Sequence, residues 1–538
     1  MADLVLHNAK VYTVNSDQPW AEAVAIKGSW IEAVGDNDSV LAVADDHTQV
    51  IDVKGRLMLP GLCDAHIHFY DWALSRRLVP LADCSSKSEM IARIQNWNGD
   101  FGGTGWIAGR GWNETVWNPI EEPTRHDLDQ VTHQPAIFWR ADMHSAVVNS
   151  AALELAGIHK DRPDPEGGLI ERDADGEPNG VLRELAVNLV MEHMPKPDPS
   201  WLDETLTDAM AELHRMGITA VHDQRMKDQF EGPVALSAYQ RLNQRHELTI
   251  RLNCNIAAHD LPSVSKLGLS SGLGDDYLRL GHIKLFTDGT LGSQTAWMLE
   301  PFEGTTDNFG INVTPPEQIK QEFEQAAQLG FPISIHAIGD RANREVLDAF
   351  EALLKKYPQP HIPHRIEHVQ TIHPDDLPRL AEMNLTSSVQ PAHAIDDIEL
   401  AEIRLGSRSD RAYNFRSLLE SGSLLALGSD APVANISPFL GFHAGLYRQR
   451  VNRMSEPAWL PNECLTLEQV IKGYTLGAAK AAGWQGVIGS IQEGKRADLA
   501  VLDRDLFEIT QQSIQGDEVS GTNVLMTVFD GEIVFRSA

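Results

Sequence analysis

Short apolar runs recur through the middle of the chain, and most are followed by a segment whose apolar residues have helical spacing. Eight such runs occur, at 59–69, 218–223, 250–256, 282–288, 332–338, 365–370, 385–390 and 424–430. Runs of this length predict buried strands, and eight successive strand–helix units are typical of a (β/α)8 barrel of the TIM type, an α/β fold. An open, doubly wound parallel sheet is the alternative that the pattern leaves open.

The two ends of the chain differ from the middle, because apolar and polar residues there alternate as in a sheet. Near the start this holds for 4–6, 10–13 and 23–27, and near the end for 497–502, 524–529 and 532–535. Asp530-Gly531 separates the last two runs and is typical of a tight hairpin turn. We therefore predict a small composite β-sandwich domain from 1–58 and 485–538, and the barrel at 59–484.

A large insertion follows the first predicted barrel strand, since the next one begins only at residue 218. Seven of the 12 tryptophans fall in or next to it: Trp72, Trp97, Trp106, Trp112, Trp117, Trp139 and Trp201. An insertion at this point lies on the catalytic face of a barrel, so we interpret 70–200 as an insertion or lid subdomain. For most of the tryptophans, a place in its own core is the favoured interpretation.

Charge and composition narrow the classes of function. The 538 residues are 42% hydrophobic with a formal net charge of −31, which argues against partners such as nucleic acid or an anionic membrane. The four cysteines, Cys63, Cys84, Cys254 and Cys464, form no CxxC pair, so they indicate a reducing compartment and no thiolate zinc site. No signal-peptide pattern and no membrane-spanning apolar run occur, and we expect a cytoplasmic protein.

Histidines stand where several predicted strands end. His66 and His68 lie in the first run, after the apolar residues 57–62, and are two residues apart, so a strand projects both imidazoles from one face towards one ion. His336 ends the stretch 333–336 within the run at 332–338, and His368 lies in the run at 365–370. Taken singly, each of these two is better explained as a hydrogen-bonded core histidine.

Asp430 and Lys284 extend this set. Asp430 ends the eighth run, where a carboxylate is typical of a catalytic role, with a helix N-cap before Ala431-Pro432 as the alternative. Lys284 alternates with apolar neighbours and is expected to face the barrel interior, where an unpaired ammonium is costly. It either pairs with a carboxylate such as Asp288 or reacts with CO2 to form a carbamate that bridges two metals. Four histidines and a carboxylate suit Zn²⁺.

These residues together make the chain resemble the amidohydrolase superfamily over almost its whole length. The superfamily pattern is HxH on strand one, Lys on strand four, His on strands five and six, and Asp on strand eight. Segments 59–68 and 489–499 are similar to the family's entry and closing motifs. Segments 109–112, 144–153, 288–293 and 388–393 resemble the YtcJ-like (amidohydrolase 3) group, which includes N-substituted formamide deformylases.

The resemblance implies two divalent metal ions, with Zn²⁺ expected. One ion would be held by His66, His68 and Asp430, the other by His336 and His368, with carboxylated Lys284 as the bridge. Asp430 would also move the proton of the attacking water to the leaving nitrogen. The residues expected to meet the substrate are Asp142, His144, Asp288, Gln390 and His393. A one-metal variant, with His368 as acid and base, and a homodimer are left open.

The predicted function is that of a metal-dependent hydrolase that cleaves a C–N bond of a small molecule, with an amide or an N-substituted formamide as the leading substrate. A deaminase or an esterase on the same scaffold is the first alternative. A non-catalytic regulatory protein that binds a ligand is an alternative of another class. A decayed enzyme of that kind would be expected to have lost some of the six ligand residues, and this chain retains all six.

Overall fold

The structure, a computed structural model, describes residues 1–97, 99–141, 145–165, 168–224, 231–511 and 517–537. Its largest sheet has eight parallel strands, which lie side by side in the order in which the chain forms them. They are labelled β1 to β8 and span Leu62–Ile67, Ile218–Asp223, Arg251–Ala257, Leu278–Phe286, Ile333–Ala337, Arg365–His368, Thr386–Val389 and Leu424–Leu427.

Hydrogen bonds at the ends of β1 and β8 close this sheet on itself. The backbone N–H of Asp430 donates to the carbonyl of His66 at 2.6 Å, and the N–H of His68 donates to the carbonyl of Ala431 at 2.9 Å. The side chain of Asp64 adds to the seam, since its Oδ1 accepts the N–H groups of His66 and Ser429, both at 3.0 Å. The predicted (β/α)8 barrel is therefore confirmed, and the open sheet is wrong.

Helices follow the barrel strands and cover them. From β2 onwards they include Glu231–Gln244, Leu261–Leu267, Pro316–Gln328, Asp340–Leu354, Leu377–Glu382, Pro391–Asp396, Ile398–Leu405, Phe415–Glu420, Pro438–Tyr447, Leu467–Lys472 and Ala478–Ala481. Two more, Phe69–Ser75 and Pro199–Arg215, stand in the chain between β1 and β2. Among the helices described, none has both the length and the apolar character needed to cross a membrane.

The helix Asp340–Leu354 illustrates why these segments are helical. Its buried apolar residues include Val346, Phe350 and Leu353, which recur at spacings of three and four and so share one face. That face packs on the preceding helix Pro316–Gln328, where the rings of Phe323 and Phe350 are 4.6 Å apart. Covered in this way, β5 is buried along its whole length.

The strands at the two ends of the chain form two mixed sheets, as predicted. One contains, in spatial order, Glu532–Arg536, Val524–Phe529, Leu499–Leu502, Leu57–Pro60, Lys10–Tyr12 and Trp20–Ala21, so it combines both ends. The other contains Trp30–Gly35, Ala23–Lys27, Leu4–His7 and Gln49–Asp52. Both residues of the Asp530-Gly531 turn have positive φ, at 51° and 89°, as a type I′ hairpin requires.

Contacts within the chain divide it into two compact units, Tyr70–Ala209 and the remainder. The unit Tyr70–Ala209 has a six-stranded sheet of Gly168–Arg172, Pro178–Glu184, Ser145–Val148, Ala136–Arg140, Ile107–Trp112 and Val79–Pro80. Trp106, Trp112 and Trp117 are buried in its hydrophobic clusters, which favours the core role for these tryptophans. The proposed domain boundaries and the lid role of 70–200 remain predictions.

Candidate metal centre

The residues at the ends of β1, β6 and β8 converge inside the barrel. The ligand atoms of His66, His368 and Asp430 all lie within 4.8 Å of one another, and all three residues are buried. The Oδ1 atom of Asp430 lies 3.3 Å from Nε2 of His66 and 3.3 Å from Nε2 of His68. His66 Nε2 and Asp430 Oδ1 are buried without a hydrogen-bond partner among the described residues. Such unpaired atoms are costly to bury, and a shared cation would satisfy both.

Three of the histidines around Asp430, namely His66, His68 and His368, share one orientation. In each, Nδ1 lies at hydrogen-bond distance from a carboxylate, carbonyl or amide oxygen, and an Nδ1–H that donates to this oxygen leaves Nε2 with its lone pair. The acceptors are Glu367 Oε2 for His66 at 2.6 Å, the Gln224 carbonyl for His68 at 3.1 Å and Gln390 Oε1 for His368 at 2.8 Å. This arrangement presents three imidazole lone pairs, the form that binds metals.

His336 lies beside this group, with its ring centroid 4.6 Å from that of His368. Its Nε2 faces the carbonyl of Gly289 at 3.1 Å. Burial lowers the pKa of His336 to about 3, with a smaller contribution from the charge of Lys284. The imidazole is therefore neutral at physiological pH, as a metal ligand must be.

Lys284 is buried in the barrel interior, as its alternation in β4 predicts. Burial lowers the pKa of its ammonium to about 8. No ion pair of Lys284 is formed with any residue that the structure describes, and its Nζ lies 4.9 Å from the centroid of the Phe286 ring. The ion pair with Asp288 that the sequence left open is therefore not formed, and carboxylation remains a prediction.

Asp288 instead binds the backbone around the end of β5. Its Oδ2 accepts the N–H groups of Trp297 and Gly339, both at 2.8 Å, and its Oδ1 accepts that of Ile338 at 3.0 Å. Burial raises the pKa of Asp288 to about 7 despite these hydrogen bonds. In this position the carboxylate holds two loops together, and its predicted contact with substrate stays a prediction.

The remaining predicted substrate residues differ in where they lie. Gln390 turns its side-chain oxygen towards His368. His393 has its Nε2 atom 3.8 Å from Asp430 Oδ2, and its ring stacks on that of His368 at an interplanar angle of 10°. His393 Nε2 has no hydrogen-bond partner among the described residues. Asp142 and His144 lie outside the described residues.

A cavity of about 430 Å³ contains the ligand candidates and is large enough for a small molecule. Apolar side chains line part of its wall, namely Phe286, Leu291, Ile338, Leu400 and Val433. Asp396 and Asp397 add two carboxylates to the lining. Asp397 is held in place, since its Oδ2 accepts from the Tyr413 hydroxyl at 2.5 Å and from Gln370 Nε2 at 2.9 Å.

Two of the ligand candidates have an unusual backbone conformation. His368 has φ of 74° and Asp430 has φ of 62°, the left-handed region that residues other than glycine rarely adopt. Strain of this kind persists where surrounding contacts hold it, and it is concentrated at functional sites. The seam between β1 and β8 supplies such contacts at Asp430.

The sequence interpretation missed Arg365 and Glu367, which lie in β6 next to His368. Burial alone would raise the pKa of Glu367, but the charges of Arg365, His66 and Lys284 and the hydrogen bond from His66 together outweigh burial and hold that pKa well below its usual range. A signal was present, because both residues alternate with Ile366 in a buried strand, as Lys284 alternates with its neighbours. The same alternation therefore places two further charges inside the barrel.

Comparison with known proteins gives four further findings. A model of the amidohydrolase family matches residues 49–535. The chain is 30% identical to a putative amidohydrolase YtcJ of Bacillus subtilis, over 99% of each chain. It is 28% identical to an N-substituted formamide deformylase of Arthrobacter pascens, over 100% of this chain and 99% of the relative. Its fold matches that of a metal-dependent hydrolase from Pyrococcus horikoshii with a TM-score of 0.80 and 25% identity, over 95% of this chain and 99% of that one.

Proposed function

The chain belongs to the amidohydrolase family and is a hydrolase, and from this premise we propose that it uses divalent metal to hydrolyse an amide-type C–N bond of a small molecule. The observation that carries the proposal is the pair of buried, unpartnered atoms, His66 Nε2 and Asp430 Oδ1, which lie 3.3 Å apart in the cavity. Two acceptor atoms in such contact call for a cation between or beside them.

The donor set fits a divalent ion such as Zn²⁺, which prefers neutral imidazole and carboxylate. His66, His68 and Asp430 would hold one ion, and His336 and His368 a second. Lys284, as a carbamate, would complete the ligand set, since the described residues offer its buried amine no ion pair. When bound, such ions polarise a carbonyl and lower the pKa of water towards 7.

The chain's own residues would then move the proton. Hydrolysis forms a bond from the oxygen of water to the acyl carbon and breaks the bond from that carbon to nitrogen. We assign Asp430 the acceptance of a proton from the water and its delivery to the leaving nitrogen, which departs as an amine. His393 is the candidate donor to the negative charge on the acyl oxygen, because its Nε2 lies 3.8 Å from Asp430 and lacks a partner among the described residues.

An N-substituted formamide is the first substrate class to test. A full-length relative carries the name of an N-substituted formamide deformylase. The cavity of about 430 Å³ suits a compact substrate, and apolar side chains such as Leu291 and Leu400 would contact its N-substituent. The roles proposed for Asp142, His144, Asp288 and Gln390 at the substrate remain predictions.

One experiment tests the proposal at two levels. Protein purified without chelator or immobilised nickel is analysed for metal and then supplied with N-substituted formamides, other amides, amino-purines and esters. We expect about two zinc-like ions per chain, together with release of amine and acid. One ion would argue against the carbamate at Lys284, and release of ammonia would favour a deaminase. A chain that takes up no metal, even with bicarbonate present, would contradict the proposal.

A further inference from the structure

A buried ion pair lies next to one of the proposed metal ligands, His66. Arg365 and Glu367 are both fully buried, and Arg365 Nε lies 2.5 Å from Glu367 Oε1 while Nη2 donates to Oε2 at 3.0 Å. Removing two such charges from water costs several kcal/mol per ion, and apolar residues of similar volume often serve stability equally well. The pair therefore calls for an explanation other than stability.

The surroundings hold this pair rigidly from several strands. The guanidinium of Arg365 donates to the carbonyl of Ala65 in β1 at 2.6 Å, to His222 Nδ1 in β2 at 2.8 Å and to Ser388 Oγ in β7 at 2.5 Å. The hydroxyl of Ser334 in β5 donates to Glu367 Oε1 at 2.5 Å. These contacts leave Oε2 of Glu367 aimed at His66 Nδ1, at 2.6 Å.

His66 differs in this respect from His68 and His368. The acceptor of its Nδ1–H is a carboxylate, whereas His68 and His368 face neutral amide oxygens, the Gln224 carbonyl and Gln390 Oε1. A carboxylate acceptor fixes the tautomer more firmly and makes the opposite ring nitrogen a stronger donor to a metal. That opposite nitrogen, His66 Nε2, is buried without a partner in the described part of the chain, as Asp430 Oδ1 is.

We propose that Glu367, held by Arg365, is a positioning residue that fixes the Nδ1–H tautomer and the orientation of His66 and thereby sets the affinity of the centre for its metal. This inference rests on the metal centre of the proposed function. It assigns to Glu367 no contact with substrate and no part in proton transfer.

The test compares two substitutions at Glu367 with one matched control. Glu367→Gln keeps the shape and removes the charge. Glu367→Asp keeps the charge for Arg365 but draws the carboxylate away from His66. Asp498→Asn is the control, because it makes the same carboxylate-to-amide change in another buried arginine pair, that of Arg251. Folding is followed by circular dichroism and thermal unfolding.

Zinc affinity is measured by competition with a chromophoric chelator, and the visible spectrum of the cobalt-substituted protein reports on the ligands. We expect Glu367→Gln to weaken zinc binding by about 10- to 100-fold and to alter the cobalt spectrum, and Glu367→Asp to have a smaller effect of the same kind. Asp498→Asn should lower the melting temperature and leave both metal measurements unchanged.

A folded variant at Glu367 with wild-type zinc affinity and cobalt spectrum would overturn the proposal. If Glu367→Gln does not fold because Arg365 has lost its partner, Glu367→Asp decides the question in the same way. The wild-type protein separates this inference from the proposed function. If it binds zinc but cleaves no C–N bond, the proposed function fails and the role of Glu367 stands. If it binds no metal, both fail.

Discussion

Two fully buried arginines of the barrel are paired with carboxylates, and the two sites have different roles. Arg251, the first residue of β3, has Nε 2.6 Å from Asp498 Oδ2 and Nη2 2.8 Å from Asp530 Oδ1. Arg365, the first residue of β6, pairs with Glu367. The two arginines are alike in burial, since both have a fully buried side chain.

They differ in what the carboxylates contact next. Asp498 accepts the N–H of Asp530 at 2.9 Å, and Asp530 accepts the hydroxyl of Tyr277 at 2.5 Å, so that this cluster joins the barrel to the C-terminal strands. Glu367 instead turns its second oxygen to His66. A buried ion pair is therefore no sign of function by itself, and the group that the remaining oxygen faces distinguishes the two roles.

The largest effect is expected at Asp430, which is one of the proposed metal ligands. Asp430→Asn removes the proposed ligand charge and the proton acceptor, so turnover of any substrate found should fall on the order of 10³-fold. The free energy of unfolding without metal should not decrease, because Oδ1 of Asp430 has no hydrogen bond to lose among the described residues. Steady-state kinetics and urea unfolding in chelator measure both. If the substitution lowers the stability but not the turnover, Asp430 has a structural role and not a catalytic one.

Arg251 should show the opposite behaviour. Arg251→Met leaves Asp498 and Asp530 buried without their cation, and breaking a buried pair in this way costs about 3–5 kcal/mol of unfolding free energy. Urea unfolding measures this loss. Zinc affinity of the folded variant should equal that of the wild type, and weakened zinc binding in a folded Arg251→Met protein would show that the two clusters are not separate in function.

The fold and most ligand candidates could be predicted because they depend on local patterns. Alternation within a strand decides which side chains enter a barrel, and a position at the end of a parallel strand decides which of them meet. His66, His368 and Asp430 follow these rules, and in the structure their ligand atoms all lie within 4.8 Å of one another. The hairpin at Asp530-Gly531 is equally local, since its turn needs two residues that tolerate positive φ.

Contacts between side chains of different strands could not be predicted in the same way. Gln390 is expected to contact the substrate, and its side-chain oxygen also lies 2.8 Å from His368 Nδ1, a contact that only the packing of β7 beside β6 shows. Whether Lys284 pairs with Asp288 could not be predicted either. It depended on the backbone around Asp288, whose carboxylate accepts three backbone N–H groups instead. The left-handed backbone at His368 has no signal in the residue type.

The smallest effect is expected at Gln390, because the acceptor that it offers to His368 is neutral, whereas Glu367 offers His66 a charged one. Gln390→Leu removes the neutral acceptor of His368 Nδ1 at nearly constant volume, so the ring loses its orientation but no charge is lost. We expect zinc binding to weaken by about tenfold, the lower end of the range for such outer partners. The chelator competition used for Glu367→Gln measures it under identical conditions. If Gln390→Leu weakens zinc binding more than Glu367→Gln does, the charge of the acceptor does not determine how much each histidine partner contributes to zinc affinity. Orientation of the ring alone would then explain both positions.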